Sequence, residues 1–217
     1  TDKKIFVIDK GSISGIDTRK YKKSKFVRSE IRKKLNIHGI LFMFAGRMCF
    51  DKGLDELIYA FSKLATQNKN LKLLLVGNDE GILEYLKNKY EIFKTNKIII
   101  KEFSYDFDKY LKAADCFVLP SYREGFGVSL AQAMSCELVV IGSNIYGLKD
   151  LLSNGVNSFT FKSKNAEDLY KVMTKVLSLK YKTRKKIGHY NRLYILKYFK
   201  KQNVVKNYIK FFEKIFI

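Results

Sequence analysis

Two segments of the 217-residue chain carry side chains suited to an anionic ligand. The first, Gly46-Arg47-Met48-Cys49-Phe50-Asp51-Lys52-Gly53, sets two cations between flanking glycines. On a loop joining a strand to a helix, such cations and the exposed amides around them bind oxyanions. Either cation alone would suit an ordinary surface loop. The Gly-Lys-Ser/Thr signature of a P-loop is absent, so a phosphate site here has another construction. The second segment runs Pro120-Ser121-Tyr122-Arg123-Glu124-Gly125-Phe126-Gly127-Val128-Ser129-Leu130-Ala131-Gln132-Ala133-Met134. A strand ends at the proline, a carboxylate stands on the loop, and two glycines let backbone amides approach a ligand as a helix begins. The plainer reading of Glu124 is a helix-leading carboxylate held by the helix dipole.

Other reactive side chains suggest less. Cys49, Cys116 and Cys136 are odd in number, widely spaced and without metal-type spacing, and only His38 and His189 could join them. The thiols are expected to be reduced, Cys116 and Cys136 in the core, with no metal bound. Asp115 reads as a turn or cap residue rather than an acid catalyst, and both histidines as structural or solvated.

The elements that must carry the two loops follow from hydrophobic patterning. Phe26–Leu35 has apolar residues at helical spacing. Ile40–Gly46 is a continuous apolar run ending in glycine, the pattern of a strand buried on both faces. Asp51 is expected to open a helix carrying Leu54, Leu57, Ile58, Phe61, Leu64 and Ala65 on one face. Strands follow at 71–77, 97–101, 116–120 and 138–142, with a sixth at 158–161, and helices at 79–92, 107–114, 128–135 and 165–179. Short connections between alternating elements imply right-handed crossovers and an α/β fold, a doubly wound Rossmann-like parallel sheet of about six strands. From about residue 180 to 217 a helical tail of one or two helices is expected, with Leu193, Leu196, Phe199, Val205, Tyr208, Phe212 and Ile215 on a common face. The whole chain reads as a single domain.

The composition, 47% hydrophobic with one proline, excludes disordered and collagen-like classes. No apolar run reaches the ~18–20 residues of a membrane span, and no signal peptide is visible at the start, so a cytoplasmic location is expected. The net charge of +21 is concentrated at the ends: +8 over residues 1–36, +11 over 180–217 and only +2 between. Basic ends favour an anionic surface such as phospholipid headgroups, which would make the protein peripheral at the inner face of a membrane. Biased coding explains the excess equally well, since 35 of the 42 basic residues are Lys. So few Arg count against base-edge readout, and nucleic acid is not an expected partner.

The Glu-Gly-Phe-Gly turn and its surroundings resemble the sugar-nucleotide motif of the group 1 glycosyltransferases, retaining enzymes of GT-B architecture. The resemblance covers roughly residues 5–180. It includes the opening loop Lys10-Gly11-Ser12-Ile13-Ser14-Gly15-Ile16-Asp17, the Gly-Arg…Lys-Gly loop and Ser104-Tyr105-Asp106-Phe107. Ala114-Asp115-Cys116-Phe117-Val118-Leu119-Pro120-Ser121 and Ile145-Tyr146-Gly147-Leu148-Lys149-Asp150 complete it. It implies that Arg47 and Lys52, after Gly46, clasp a diphosphate, and that Glu124 hydrogen-bonds the donor sugar. The amides of Gly125, Phe126, Gly127 and Val128 would face the sugar or phosphate, and main-chain atoms near Phe103 and Ser104 the nucleobase. The family's second Glu, directed at the ribose, is here Gln132, whose carbonyl oxygen accepts only a neutral hydrogen bond. Glu137 stands where the family commonly has Gly, and Ser158 where Gly is usual.

The resemblance also implies a donor-binding C-terminal half whose N-terminal acceptor domain is absent from these residues, leaving a fragment or a subunit with a separate partner. The expected function is that of a retaining glycosyltransferase donor domain. It would bind a nucleoside-diphosphate sugar, UDP-sugar first, for transfer to a polysaccharide or lipid-linked acceptor, with no cofactor or metal. A non-catalytic sugar-nucleotide-binding subunit is the alternative.

Overall fold

The computed structural model describes residues 7–8, 11–12, 14–152 and 158–216. Lys10 and Ile13 of the opening loop lie outside them. Six strands form one wholly parallel sheet: β1 (Ile40–Ala45), β2 (Leu71–Val76), β3 (Ile98–Lys101), β4 (Cys116–Leu119), β5 (Val139–Ser143) and β6 (Ser158–Phe161). Their order, β3-β2-β1-β4-β5-β6, reverses direction between β1 and β4. That reversal is the topological switch point, where the crevice of an open α/β sheet lies at the carboxyl ends of the strands. The loops leaving β1 and β4 are the Arg47–Lys52 and Ser121–Gly127 segments.

The central strands are almost continuously apolar because helices cover both faces: Leu41, Phe42, Met43, Phe44, Leu73, Leu74, Leu75 and Phe117 are all fully buried. Right-handed crossovers send α2 (Leu54–Gln67) and α3 (Ile82–Lys89) to one face, and α4 (Phe107–Ala113) and α5 (Val128–Ser135) to the other. α1 (Lys25–Lys34) packs on α4, and the short α6 (Lys149–Leu152) lies between β5 and β6. After β6, α7 (Ala166–Ser178) packs on α2, and α8 (Tyr181–Tyr198) packs on α5. The chain ends with α9 (Lys201–Phe216). Among the described residues no helix is long and apolar enough to cross a membrane.

Three expectations are corrected. Asp51 does not open α2: residues 50–52 form a 3-10 turn, and α2 starts after Gly53, whose φ of 66° is left-handed. The proposed helix over 79–92 ends at Lys89, and a separate 3-10 turn covers 91–94. The tail is two helices whose buried positions are Ile187, Asn191, Ile195, Phe199 and Val204, whereas Leu193, Val205, Phe212 and Ile215 of the expected common face are exposed. The break between the helices explains the change of face. There Ile16 hydrogen-bonds across it, its amide to Phe199 O and its carbonyl to Lys201 N, stitching the opening loop to the tail.

Candidate functional site

A cleft of about 510 Å³ opens at the carboxyl ends of β1 and β4. It brings together Gly46, Arg47, Lys52, Phe103, Glu124, Gly125, Phe126, Gly127 and Val128. Ser104 and Gln132 do not line it. Ser104 is exposed on the β3–α4 loop, where its carbonyl receives the Phe107 amide. Gln132 lies one turn into α5, half-buried, beyond the rim formed by Val128 and Ser129.

The two charged loops are fixed against each other. The Tyr122 amide donates to Asp51 O at 2.8 Å, and the Tyr122 hydroxyl donates to Glu56 at 2.7 Å in the first turn of α2. Burial, reinforced by Glu56, pushes the Tyr122 phenol well up, so it keeps the proton it donates. At Gly53 any Cβ would come within 2.2 Å of Pro120 O, so the loops meet backbone to backbone only because that position is glycine. The β2 and β3 loops are tied in as well, through Met48 N to Asn78 O at 2.8 Å and Phe103 N to Asn78 Oδ1 at 3.4 Å.

Within this frame Lys52 donates to Glu124 Oε1 at 2.8 Å, with side chains only 13% and 18% exposed. Ser121 Oγ donates to the same oxygen at 2.7 Å. Glu124 is therefore not the solitary carboxylate that the glycines around it suggest. Arg47 stands further out, 63% exposed, and pairs with Glu80 at 2.9 Å. Between the cations Cys49 donates to Asp51 Oδ1 at 2.8 Å, and burial followed by that carboxylate pushes its thiol up to about 11. It is a poor nucleophile at neutral pH.

The amino end of α5 closes the cleft. Gly127, at φ 78°, precedes the helix with no side-chain cap, leaving first-turn amides facing the cleft beside Glu124. A Cβ there would come within 2.4 Å of Leu148 Cδ2. Phe126 underlies the turn and packs on Phe199 of the tail, ring centroids 5.0 Å apart. The tail thus supports the site from behind. Together these parts can hold a dianionic group between Lys52, Arg47 and the helix start, with a hydroxyl-binding carboxylate alongside.

Sequence reasoning passed over Glu80 and gave no role to Ser121, Ser12 or Ser129 of the motifs it quoted, although Ser12 and Ser129 line the cleft. Ser121 and Glu80 stand in the loops leaving β4 and β2, and that placement was the available signal for them. Asp115 lies at the opposite, amino-terminal rim, in the bend between α4 and β4 as expected, and is bound to Arg28 and Arg32 away from the cleft. His38 meets Asn36, and His189 is an exposed residue of α8. Cys116 and Cys136 are buried free thiols, as expected.

Residues 27–194 match the family described as glycosyl transferases group 1. The capsular polysaccharide biosynthesis glycosyltransferase CapM of Staphylococcus aureus is 30% identical over 194 residues, covering 88% of this chain and 50% of CapM. The chain thus spans about half the length of that relative. Among solved structures, Anabaena Alr3699/HepE in complex with UDP superposes with a TM-score of 0.83 at 22% identity, covering 92% of this chain and 56% of that one. The C-terminal domain of the group 1 family protein LpcC from Francisella tularensis superposes with a TM-score of 0.76 at 20% identity, covering 86% and 99% respectively. The family match over most of the chain agrees with the site built above: the chain belongs to the group 1 glycosyltransferases, and its Rossmann-like fold is that of the LpcC C-terminal domain.

Proposed function

We propose that these residues are the donor-binding half of a retaining glycosyltransferase, taking a nucleoside-diphosphate sugar, UDP-sugar first. The observation that carries the reading is the Lys52–Glu124 pair beside the uncapped start of α5. It sets a cation, free amides and a carboxylate within one cleft. The diphosphate lies against Lys52, Arg47 and the α5 amides, and Glu124 accepts from the sugar hydroxyls. The nucleobase lies toward Phe103. Ser104 and Gln132 stay outside the contact unless the loops shift, so Gln132 matters less to binding than its place in the motif suggests. The complex of the Anabaena neighbour with UDP supports the choice of base.

In front-face substitution the bond from the anomeric carbon to the diphosphate breaks as the acceptor oxygen attacks from the same side, and negative charge grows on the leaving phosphate, which takes up the acceptor hydroxyl's proton. Lys52, Arg47 and the α5 amides stabilise that charge by electrostatic preorganisation, with no metal or cofactor in the proposed step. Glu124 orients the sugar rather than attacking it. The acceptor is held by a second half, supplied elsewhere in a longer chain or by a partner subunit, and α9 with its exposed Val205, Ile209 and Ile215 is the surface for it. A capsular polysaccharide relative makes a polysaccharide or lipid-linked acceptor the first choice. The basic ends then hold the protein, cytoplasmic, against the anionic inner face of a membrane.

Calorimetric titration with UDP, GDP, ADP and uridine tests the donor reading. UDP should bind and uridine far more weakly; equal affinity for the two would show that the diphosphate is misplaced. Without the second half the proximity contribution, up to ~7–11 kcal/mol, is missing, so these residues alone should transfer no sugar. Vesicles containing anionic lipid should bind the chain and release it with salt, and neutral vesicles should not bind it.

A further inference from the structure

Ser121 has no part in the function just proposed, yet of the two donors to Glu124 among the described residues it is the one that a ligand cannot reach. It is fully buried directly after β4, and its hydroxyl meets Glu124 Oε1 at 2.7 Å. Lys52 meets the same oxygen at 2.8 Å. Among the described residues no donor approaches Oε2. One carboxylate oxygen is thus held twice, and the other is left for something in the cleft that Glu124 lines.

The last torsion of a Glu side chain is broad and roughly two-fold, so a single donor leaves the carboxylate plane loosely set. Two donors arriving at one oxygen from different loops fix it. A serine that merely needed a partner could use a main-chain carbonyl. Ser143, equally buried at the end of β5, does so, donating to the carbonyl of Ser121. The segment carrying Ser121 is held in place by the next residue, whose amide donates to Asp51 O. Lys52 faces competition, because a bound phosphate draws on the same ammonium. Ser121 does not, so its grip on Oε1 persists once ligand is bound.

We propose that Ser121 is a positioning residue for donor recognition: it pins Glu124 Oε1 so that Oε2 presents one fixed acceptor to a hydroxyl of the donor sugar. The assignment rests on the donor-domain reading. Its signature is selective loss of the sugar's contribution, with the diphosphate's contribution intact.

Calorimetric titration of the chain with UDP, UDP-glucose, UDP-galactose and UDP-N-acetylglucosamine supplies the test, read as the ratio of affinity for the tightest UDP-sugar to that for UDP. Ser121→Ala should lower the ratio about tenfold, the loss typical of one charge-assisted hydrogen bond, and leave UDP within about twofold. Ser121→Cys keeps the volume with a weaker donor and should give an intermediate loss. Ser143→Ala removes a hydroxyl from the same buried segment without touching Glu124, so it should lower the melting temperature and leave the ratio unchanged. Equal weakening of UDP and UDP-sugar in Ser121→Ala, or a ratio that falls as far in Ser143→Ala, would overturn the proposal. If Ser121→Ala does not fold, an unchanged ratio in folded Ser121→Cys overturns it too. A wild-type chain that binds neither UDP nor any of the UDP-sugars overturns the donor reading itself, before any variant is compared.

Discussion

The two rims of the sheet each hold a carboxylate paired with a cation, and they differ in what is left over. At the amino-terminal rim Asp115 accepts from Arg28 at 2.6 Å, from Arg32 at 3.0 Å and from the Leu41 amide at 2.9 Å, using both oxygens. The guanidiniums are used further: Arg28 also donates to Ala113 O and Ala114 O, and Arg32 to Ala113 O and Gly39 O. At the carboxyl-terminal rim both donors to Glu124 crowd onto one oxygen, and Arg47 leans outward on Glu80. A saturated network ties α1 to the strand starts and has nothing to offer a ligand. An unsaturated one, in a cleft and beside uncapped amides, has capacity to spare. Charge alone does not separate the two, because both rims are ionic; the count of unused acceptors and donors does.

Removing the centre of the saturated network should give the largest effect, and on stability alone. Asp115→Ala leaves two guanidiniums and an amide without their acceptor and should cost about 3 kcal/mol in urea unfolding, the low end for breaking a buried pair because Arg28 is partly solvated. UDP affinity of the folded fraction should not change. A loss of UDP binding equal to that from a cleft variant would erase the distinction between the rims.

Lys52→Ala should reverse that pattern. One charge-assisted contact to the diphosphate is worth about 1.5–3 kcal/mol, so UDP should bind at least about tenfold more weakly while uridine changes little. The stability cost should fall below that of Asp115→Ala, since Ser121 still holds Glu124 and the carboxylate lines the open cleft. Arg47→Ala should weaken UDP less, about threefold, because an exposed cation is screened and Glu80 competes for it. Glu80→Gln should change UDP affinity in the opposite direction, upward, and the gain should shrink as salt is raised. A decrease in Glu80→Gln would mean that Glu80 aims Arg47 at the ligand instead of holding it back.

The fold was legible because its signals are local. Apolar runs such as Ile40–Ala45 and the helical spacing from Leu54 to Ala65 state their own burial, and alternation dictates a parallel sheet. The site was legible through glycines and charges on the two loops that the switch point brings together. What the sequence could not show was pairing across distance. Lys52 with Glu124 and Arg28 with Asp115 are separated by 72 and 87 positions, and no periodicity links them. The same limit misplaced the tail. Its apolar residues fit one helical face on paper, but the break at Phe199–Lys200, set by hydrogen bonds to Ile16, turns α9 relative to α8. Gln132 was drawn into the site by its spacing from Glu124, whereas the turn of α5 carries it past the rim.

The smallest expected effect returns to the structural rim, at a position where backbone geometry and side chain disagree. Glu137, between α5 and β5, has a φ of 63°, the left-handed region that a side chain with a Cβ adopts at a cost of roughly 1 kcal/mol. The turn is imposed by its surroundings: the Glu137 amide donates to Met134 O at 3.0 Å, and α8 crosses so closely that a Cβ on Gly188 would come within 2.0 Å of Glu137 O. Against the strain stands one ion pair, Lys23 to Glu137 at 3.4 Å, partly exposed and worth a few tenths of a kcal/mol. Glycine relieves the strain, gives up the pair and adds freedom to the unfolded chain, so the gains and losses nearly cancel. Glu137→Gly should therefore leave stability within about 0.5 kcal/mol, read as a nearly unmoved urea midpoint at unchanged slope, with UDP affinity unaltered. Destabilisation beyond about 1 kcal/mol would show that the Lys23 pair outweighs the backbone strain, and that this rim depends on its charges even where they reach solvent.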